Sequence, residues 1–396
     1  MGRLMLIDHD IETPGPGHNV ALLRKQRDLS QVKLARKAGV SVSLLSKIEI
    51  GDRALSQGVA AALASAMGTT LDEVLGKADL KQDNEASLRE LRAAIRRFGL
   101  PGDSLTERDI LTHELGGLVK FRRDANLSEV ITRLPGLLSR ATNYAHIVDT
   151  PDAWAMVTDI YSSVYWLAAR HRWMDLAELA VIKQGLAAER ATPLAGIIAV
   201  RDEAGTFLNS GDFEGGLAVV DRAVVHAELS MEGREKALGL GLLHLRGLTL
   251  AGRRRDKKEV ERHMAAAWRM VEEFPQDVDV CGMQFGPENT ATHVMATWVD
   301  LEHYRRALDV AGDLGRRTLT LPATRIGPLH MNAARAKLAL HDRDGALNSL
   351  VDAWEASPQM AKVSSTSQEL LRVLISLHKR SNPTLTKLAK QARVGI

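Results

Sequence analysis

The side chains that could perform acid–base or metal chemistry are scattered along this chain. His113 with Glu114, and His293, are candidate proton donors or acceptors, but no partner accompanies them at a recognisable catalytic spacing. The sequence has no glycine-rich phosphate loop, no Gly-x-Ser-x-Gly turn, and no His-Glu-x-x-His motif or cysteine cluster for zinc. We therefore expect a protein that is not an enzyme and that uses no catalytic residue, cofactor or metal.

Noncovalent recognition is the chemistry predicted for residues 29–51. Ser30 and Ser41 can each cap a short helix, because a serine hydroxyl accepts a hydrogen bond from a free backbone N–H. Gly39 stands where the first helix must end, a position that favours glycine. The two helices share an apolar core made of Leu34, Ala35, Ala38, Leu45 and Ile48. This is the layout of a helix-turn-helix, whose second helix can enter the major groove of DNA.

The composition predicts the elements that must position these residues. The chain has 396 residues, 45% hydrophobic and 26% charged, which is typical of a folded protein with two or more domains. Aromatic residues make up only 4%, while Ala, Leu and Arg are abundant, which favours helices over sheets. No segment approaches the ~20 apolar residues of a membrane span, and no signal-peptide pattern is seen. Because Cys281 is the only cysteine, no intrachain disulfide can form, and a cytoplasmic location is expected.

The charge of the chain is unevenly distributed. Residues 18–78 carry nine Lys or Arg and five Asp or Glu, a net charge of +4, whereas the whole chain has a net charge of +3. A basic head on a near-neutral body is expected when a phosphate-binding module is joined to a domain with another role.

Five short helices are predicted in residues 18–78, at 19–27, 31–38, 42–50, 57–67 and a last turn that ends at Leu75. A capping box, Thr70-Leu71-Asp72-Glu73, opens the last turn. This order resembles the Xre and lambda-repressor family of helix-turn-helix domains. The likeness is carried by the Ser30-Gln31 start, Ala35, Gly39, the Ser-x-x-x-Leu-Ser-x-Ile-Glu-x-Gly run that ends at Gly51, Arg53, and the Ala-Met-Gly-x-x-x-Asp-Glu-Val-Leu tail.

The resemblance implies a role for several positions. Gln31, with the free N–H groups of its helix, would bind a phosphate. Lys47 would donate to guanine O6 or N7, and Val42 would pack on a thymine methyl. Arg24 and Glu49 match the internal ion pair of the family. The complete set of candidate DNA-binding residues is Gln31, Lys33, Ser41, Val42, Ser43, Ser46, Lys47 and Arg53.

The outward face of the predicted recognition helix lacks Arg, Asn and Gln, the residues that make the best bidentate contacts to bases. Few direct contacts to bases are therefore expected. DNA shape and the spacing of two heads would supply more of the specificity. The plainer alternative is that these helices only pack together and that their serines keep the surface soluble.

Two segments flank the head. Residues 1–17 are expected to form a flexible arm, and residues 79–104 a helical connector. In the connector a capping box at Ser87-Leu88-Arg89-Glu90 precedes an amphipathic stripe, which Gly99 and Pro101 end. This helix either transmits a signal or pairs with its twin in a dimer, or it packs against the next domain.

Residues 105–396 continue with helical periodicity and without convincing strand alternation. Pro151, Pro193, Pro287 and Pro322 stand at expected first positions of helices. Similar polar turns recur at 211–218, 302–308 and 342–347. The spacing of roughly 35 to 45 residues predicts about five helical hairpins in a tetratricopeptide-like solenoid. The expected fold is all-α, with a five-helix head followed by this α-solenoid.

Head and body together resemble actinobacterial Xre-type regulators with tetratricopeptide-like C-terminal domains. The likeness includes Phe285-Gly286-Pro287-Glu288-Asn289-x-x-x-His293 and a closing helix at 385–395. It implies a concave groove that binds a small molecule or a peptide.

Two sets of residues are candidates for that groove. Asn289 and His293 would share one helix face at i and i+4, and the alternative is a capping Asn and a His that is bonded between repeats. Trp154, Tyr161 and Tyr165 would line an aromatic pocket or, as we expect, pack in the core.

These expectations combine into a cytoplasmic, homodimeric transcription regulator that binds a double-stranded DNA operator and senses an effector. The alternative is a protein-interaction scaffold whose head is only an accessory anchor on DNA.

Overall fold

The computed structural model describes residues 15–76, 85–316, 318–377, 382–392 and 394. The prediction of an all-α chain, with a helix-turn-helix head followed by a helical body, is confirmed. Most of the predicted arm, the start of the connector and the end of the predicted closing helix lie outside the described residues. None of the helices in the described part of the chain is long and apolar enough to cross a membrane.

The head contains the five predicted helices, and local signals fix their ends. The Ser30 hydroxyl accepts from the backbone N–H of Lys33 at 3.2 Å, and the Ser41 hydroxyl accepts from that of Leu44 at 3.1 Å. Gly39 ends its helix at φ +65°, in the left-handed region. The helices are α1 (Pro16–Gln26), α2 (Gln31–Ala38), α3 (Val42–Glu49), α4 (Gln57–Met67) and α5 (Leu71–Leu75).

Helix α1 begins two residues before the predicted start of the head at residue 18. Pro16 and Gly17 are buried helical residues rather than part of an arm. A side chain at Gly17 would place its Cβ 2.0 Å from the carbonyl oxygen of Ile48 in α3. A glycine is therefore required where α1 crosses the predicted recognition helix.

The body begins with α6 (Glu85–Arg96) and continues as six helix pairs that are joined by short turns. The pairs are α7 (Arg108–Arg123) and α8 (Leu127–Val148), α9 (Pro151–His171) and α10 (Met174–Ala188), α11 (Pro193–Ser210) and α12 (Phe213–Ser230), α13 (Gly233–Arg254) and α14 (Lys257–Val271), α15 (Pro287–Asp300) and α16 (Tyr304–Gly315), and α17 (Ala323–Ala339) and α18 (Arg343–Ala356). The helices α19 (Pro358–Val363), α20 (Ser365–Leu377) and α21 (Pro383–Ala392) follow.

Three details of the body differ from the sequence-based expectation. Pro151, Pro193 and Pro287 begin their helices as expected, but Pro322 is the N-cap of α17 and lies one position earlier. Ser87 lies inside α6 and does not cap it. The pairs number six rather than about five, and their tetratricopeptide character stays a prediction.

Helix α6 packs on α8 and α10 through the buried residues Leu88, Leu91 and Ile95, which join the core of the first helix pairs. Of the alternatives for the connector, the structure thus has the one in which this helix packs against the next domain.

The first helices of the six pairs close into a ring. In chain order α7, α9, α11, α13, α15 and α17 each contact the next, and α17 contacts α7. The second helix of each pair covers this ring from outside. The tail reinforces the closure, because the Gln359 side chain accepts a hydrogen bond from the backbone N–H of Ser128 at 3.0 Å. We call α7, α9, α11, α13, α15 and α17 the inner helices.

A short β-hairpin interrupts the helices, so the expectation of no strands is wrong for this segment. Strands β1 (Val278–Val280) and β2 (Met283–Phe285) pair antiparallel, with Val278 opposite Phe285. Three residues per strand are too few to produce a visible alternation. Gly286 follows at φ +151°, and a Cβ there would lie 2.5 Å from the Cα of Asp277. The turn from the hairpin into α15 therefore needs glycine.

Candidate nucleic-acid interface and the interior of the ring

Helix α3 presents one face to solvent and the opposite face to the head core. Leu45 and Ile48 are fully buried, whereas Val42 keeps 40% of its surface exposed. Of the predicted contact residues on or next to this helix, Ser41, Val42, Ser43 and Lys47 are exposed and Ser46 is half-buried. The exposed face thus carries two hydroxyls, one methyl-bearing side chain and one ammonium group.

The start of α2 lies beside this face. Lys33 is exposed, as are Arg36 and Lys37 in the last turn of the same helix. Gln31 is half-buried, and its amide donates to the carboxylate of Glu49 at 2.9 Å. The Gln31 amide is therefore engaged inside the head in this structure, while the first backbone N–H groups of α2 stay near the surface.

An ion pair fixes α3 against α1. The Arg24 guanidinium donates to both carboxylate oxygens of Glu49, at 2.7 and 2.8 Å, and to the carbonyl of Leu29 at 2.8 Å. Burial alone would raise the pKa of Glu49, but the hydrogen bonds from Arg24 and Gln31 outweigh it and the pKa is lowered. A carboxylate held in this way sets the tilt of α3 relative to α1.

Arg53, the predicted backbone contact after α3, is turned towards the body. It is half-buried, and its guanidinium donates to the hydroxyl of Tyr304 at 3.4 Å. Nearby, the backbone N–H of Leu55 donates to Glu369 at 3.4 Å, and the Ser376 hydroxyl lies 3.2 Å from a carboxylate oxygen of Asp52. The loop that follows α3 is thus one of the points at which the head touches the body.

A second contact between head and body lies at the end of α9. The Arg172 guanidinium donates to the carboxylate of Asp72 at 2.6 Å and also to the backbone carbonyl of Gly76. A cavity of about 300 Å³ lies beside this contact, lined by Leu71 and Asp72 of the head and by Arg170, Asn209 and other residues of the inner helices. We call it the mouth cavity, because it separates the head from the interior of the ring.

All three candidate aromatic residues, Trp154, Tyr161 and Tyr165, are buried in one hydrophobic core. Trp154 and Tyr161 are almost fully buried, each with its ring centre 6.0 Å from that of Phe98. The Trp154 indole donates to Asp149 at 2.9 Å. Neither side chain lies in the interior of the ring.

Tyr165 and His293 each make a polar contact with a neighbouring inner helix. The Tyr165 hydroxyl accepts from the Asn209 amide at 3.4 Å, and the His293 imidazole lies 3.2 Å from the Thr249 hydroxyl. Burial and the charges of nearby arginines, first of all Arg325, hold the pKa of His293 well below its ordinary value. His293 is therefore a neutral hydrogen-bonding group at pH 7.

Asn289 lies one turn before His293 on α15 and is buried. Its amide donates to the Gln284 carbonyl at 2.7 Å, and within the described part of the chain its side-chain oxygen has no partner. Asp277 caps the same helix end, because its carboxylate accepts from the backbone N–H groups of Glu288 and Asn289 at 2.8 Å each. Asn289 thus ties the hairpin to α15 rather than capping the helix.

Five of the arginines on the inner helices interact with one another. Burial, together with the charge of Arg246 and other neighbours, lowers the pKa of Arg201 to about 9 and that of Arg325 to about 10. Such repulsion requires that the charges share one region of low dielectric constant. We call these residues the arginine cluster: Arg122 on α7, Arg170 on α9, Arg201 on α11, Arg246 on α13 and Arg325 on α17.

The geometry of the cluster is defined by aromatic and small residues. The guanidinium carbons of Arg122 and Arg170 lie 5.6 and 4.2 Å from the centre of the Trp166 ring. On α11 the small residue Gly205 leaves room for two groups: a Cβ there would lie 2.0 Å from the Tyr165 hydroxyl and 3.2 Å from a terminal nitrogen of Arg246. The Tyr165 hydroxyl and the Arg246 guanidinium thus meet at Gly205.

Sequence reasoning missed this cluster. An arginine in a helix is usually interpreted as a solvent-facing residue. The available signal was the presence of an arginine on the first helix of five of the six hairpins. This recurrence becomes visible only when the bounds of the helix pairs are known.

Residues 20–74 match the helix-turn-helix family. A comparison with curated proteins gives no match. Among solved structures, the chain is similar to a PrgX mutant at 11% identity and a TM-score of 0.28, covering 87% of this chain and 95% of that one. A complex of PrgX with iCF10 gives 10% identity and a TM-score of 0.25, with 93% and 99% coverage. Residues 20–74 of this chain thus form a helix-turn-helix domain of the Xre type.

Proposed function

We propose that the protein is a sequence-specific, DNA-binding transcription regulator. The observation that carries the proposal is the exposed face of α3, which is held by the Arg24–Glu49 pair and is flanked by the exposed basic residues of α2. A short helix with this presentation fits the major groove, and lysines beside it suit the phosphate backbone. We also propose that the chain is not an enzyme.

In this proposal four of the candidate residues have distinct tasks. Lys47 donates to a guanine edge, and Val42 packs against a thymine methyl. Lys33 and the first N–H groups of α2 bind phosphates. Arg53 joins them if DNA competes successfully with the Tyr304 hydroxyl for its guanidinium.

We further propose that two copies act together on a two-fold or direct-repeat operator, because one eight-residue recognition helix reads only a few base pairs. The body supplies dimerisation and an effector site for a small molecule or a peptide. Such a protein works where chromosomal DNA is, which agrees with the cytoplasmic location expected from the single cysteine.

A test begins with a map of the genomic fragments that the purified protein binds. A few sharp peaks with a shared, repeated half-site support the regulator. Diffuse, salt-sensitive binding without a motif refutes sequence-specific regulation and supports the scaffold with an accessory head.

Lys47→Ala then tests the recognition helix on the operator obtained in this way. If Lys47 reads a base, its loss costs about 1–3 kcal/mol and relaxes specificity at one position. If it touches only a phosphate, all sequences weaken alike and the salt slope falls by about 1. Lys258→Ala, at an exposed lysine on α14 in the body, removes the same charge and is the matched control.

A further inference from the structure

The arginine cluster contains more positive charge than the protein around it balances. Four carboxylates interact with it, and each already has at least one partner, while Oδ1 of Asp159 has no hydrogen-bond partner among the described residues. Asp202 pairs with Arg201 at 2.9 Å, and Asp279 pairs with Arg123 at 3.4 Å. Asp277 caps α15 through both oxygens. The fourth, Asp159, is hydrogen-bonded to Cys281 and has its pKa raised to about 6, first of all by burial.

Four guanidinium groups of the cluster form no ion pair with a carboxylate within the part of the chain that the structure describes. They are those of Arg122, Arg170, Arg246 and Arg325. The Arg170 guanidinium donates to the carbonyl of Trp166 at 3.0 Å, which satisfies one of its five N–H groups. Uncompensated charge in an enclosed space is unfavourable, so these groups call for a counter-charge.

The unsatisfied donors are distributed around the ring. The Nε–H groups of Arg122, Arg170, Arg201 and Arg246 are buried and lack a hydrogen-bond partner among the described residues, one on each of the inner helices α7, α9, α11 and α13. Arg122 itself is only 4% exposed. Buried donors without partners on four helices of one ring are more typical of a binding site than of a packed core, where such groups are satisfied.

We propose that the interior of the ring binds a small oxyanion that carries two or more negative charges. Guanidinium groups bind phosphate and carboxylate groups through paired, charge-assisted hydrogen bonds. The hydroxyl of Tyr165 on α9 and the neutral imidazole of His293 on α15 supply further hydrogen bonds from two helices of the ring. The ligand is therefore either a phosphorylated or a polycarboxylate small molecule.

Isothermal titration of the full-length chain tests this site with tripolyphosphate and citrate as probes. Acetate is the singly charged control, and KCl keeps the ionic strength constant. We expect one probe to bind once per chain and at least about tenfold more tightly than acetate. Tighter tripolyphosphate binding identifies a phosphate site, and tighter citrate binding a carboxylate site. If neither probe binds more tightly than acetate, the proposal is refuted.

Substitutions locate the binding. Arg246→Gln and Arg325→Gln are each expected to weaken the better probe by about tenfold or more, because each removes a charged donor pair. Arg325→Lys keeps the charge but lacks the planar fork, so we expect partial loss even if the glutamine variants fold poorly. Arg305→Gln, at an exposed position on the outer helix α16, is the matched control. Unchanged affinity in both Arg246→Gln and Arg325→Lys would place the anion elsewhere and overturn the assignment.

The role of this anion as the effector rests on the proposed function, whereas its binding does not. Operator affinity is therefore measured separately, with and without the better probe. Anion binding without any operator preference refutes the regulator and leaves the site intact. Operator binding without anion binding refutes only the site.

Discussion

Replacement of Glu49 by alanine tests whether the ion pair in the head positions α3. The side chains of Arg24 and Glu49 are 12% and 5% exposed, so the pair is mostly shielded from water. Breaking a fully buried pair costs about 3–5 kcal/mol, because one charge is left uncompensated. Arg24 retains some solvent contact and its bond to the Leu29 carbonyl, so we expect Glu49→Ala to cost about 2–3 kcal/mol.

Hydrogen exchange of the α3 amides is the appropriate assay, because it reports the free energy of opening this element within the intact chain. Arg24→Ala, Glu49→Ala and the double variant form a thermodynamic cycle, and Lys25→Ala on the exposed face of α1 is the control. We expect a coupling energy of about 1.5–3 kcal/mol between the two residues. Additive effects of the two single substitutions would show that the pair does not hold α3, and the reasoning would fail.

The pH dependence gives an independent check on the same pair. The pKa of Glu49 is lower in the folded head than its ordinary value of 4.5. Its contribution to stability is therefore complete above that value and is lost as the pH falls through the folded pKa. Protection of the α3 amides should decline at acidic pH in the wild type, and the decline should be shallower in Glu49→Gln. Equal declines in both proteins would assign the acid sensitivity to other groups.

Three further predictions concern the body. Arg172→Ala removes the hydrogen bonds to Asp72 and Gly76, so the α5 amides should exchange about tenfold faster, and unchanged rates would show that other contacts seat the head. The Nδ1 atoms of His244 and His263 lie 3.0 Å apart. Burial is the main cause that lowers the pKa of His244 to about 4 and that of His263 to about 3. Since the folded pKa values lie below the ordinary value of 6.5, the contribution of the two neutral histidines to stability is complete above pH 6.5 and is lost as the pH falls. The melting temperature should therefore drop between about pH 7 and about pH 5, and it should drop less in the His244→Gln/His263→Gln variant than in the wild type. Gly286→Ala should lower the free energy of unfolding by about 2–4 kcal/mol, because a Cβ would overlap Asp277. Chemical denaturation measures this change, and a denaturation midpoint equal to that of the wild type would show that the turn does not need glycine.

The head could be predicted almost residue by residue because its signals are local. A cap such as Ser30 or Ser41 acts within its own turn, and Gly39 marks a backbone conformation that few other residues adopt. The ends of α2 and α4 fall where these signals place them. The predicted start of α1 was wrong because the glycine at position 17 is required by a close approach to the carbonyl of Ile48, a residue that is distant in sequence.

The interior of the body could not be predicted in the same way. Whether an arginine such as Arg246 faces solvent or the ring depends on the contact between α17 and α7, which joins the two ends of the repeat array. The periodicity of one helix does not contain that information. His293 and Tyr165 were candidates from type and spacing, but most of the charges that surround them come from three other helices, α11, α13 and α17.

The last turn of α9 connects the interior of the ring to the head. Arg170 belongs to the arginine cluster and lines the mouth cavity. Two residues later, Arg172 binds Asp72 and Gly76 of the head. An anion that draws Arg170 away from the Trp166 carbonyl must therefore act on the same turn that seats α5. Because coupling between two binding equilibria is reciprocal, operator DNA must change the affinity for the anion by the factor by which the anion changes the affinity for DNA. A common factor that differs from one, measured with the better probe, would show that the two sites are coupled, and a factor of one would show that the anion does not act on the head.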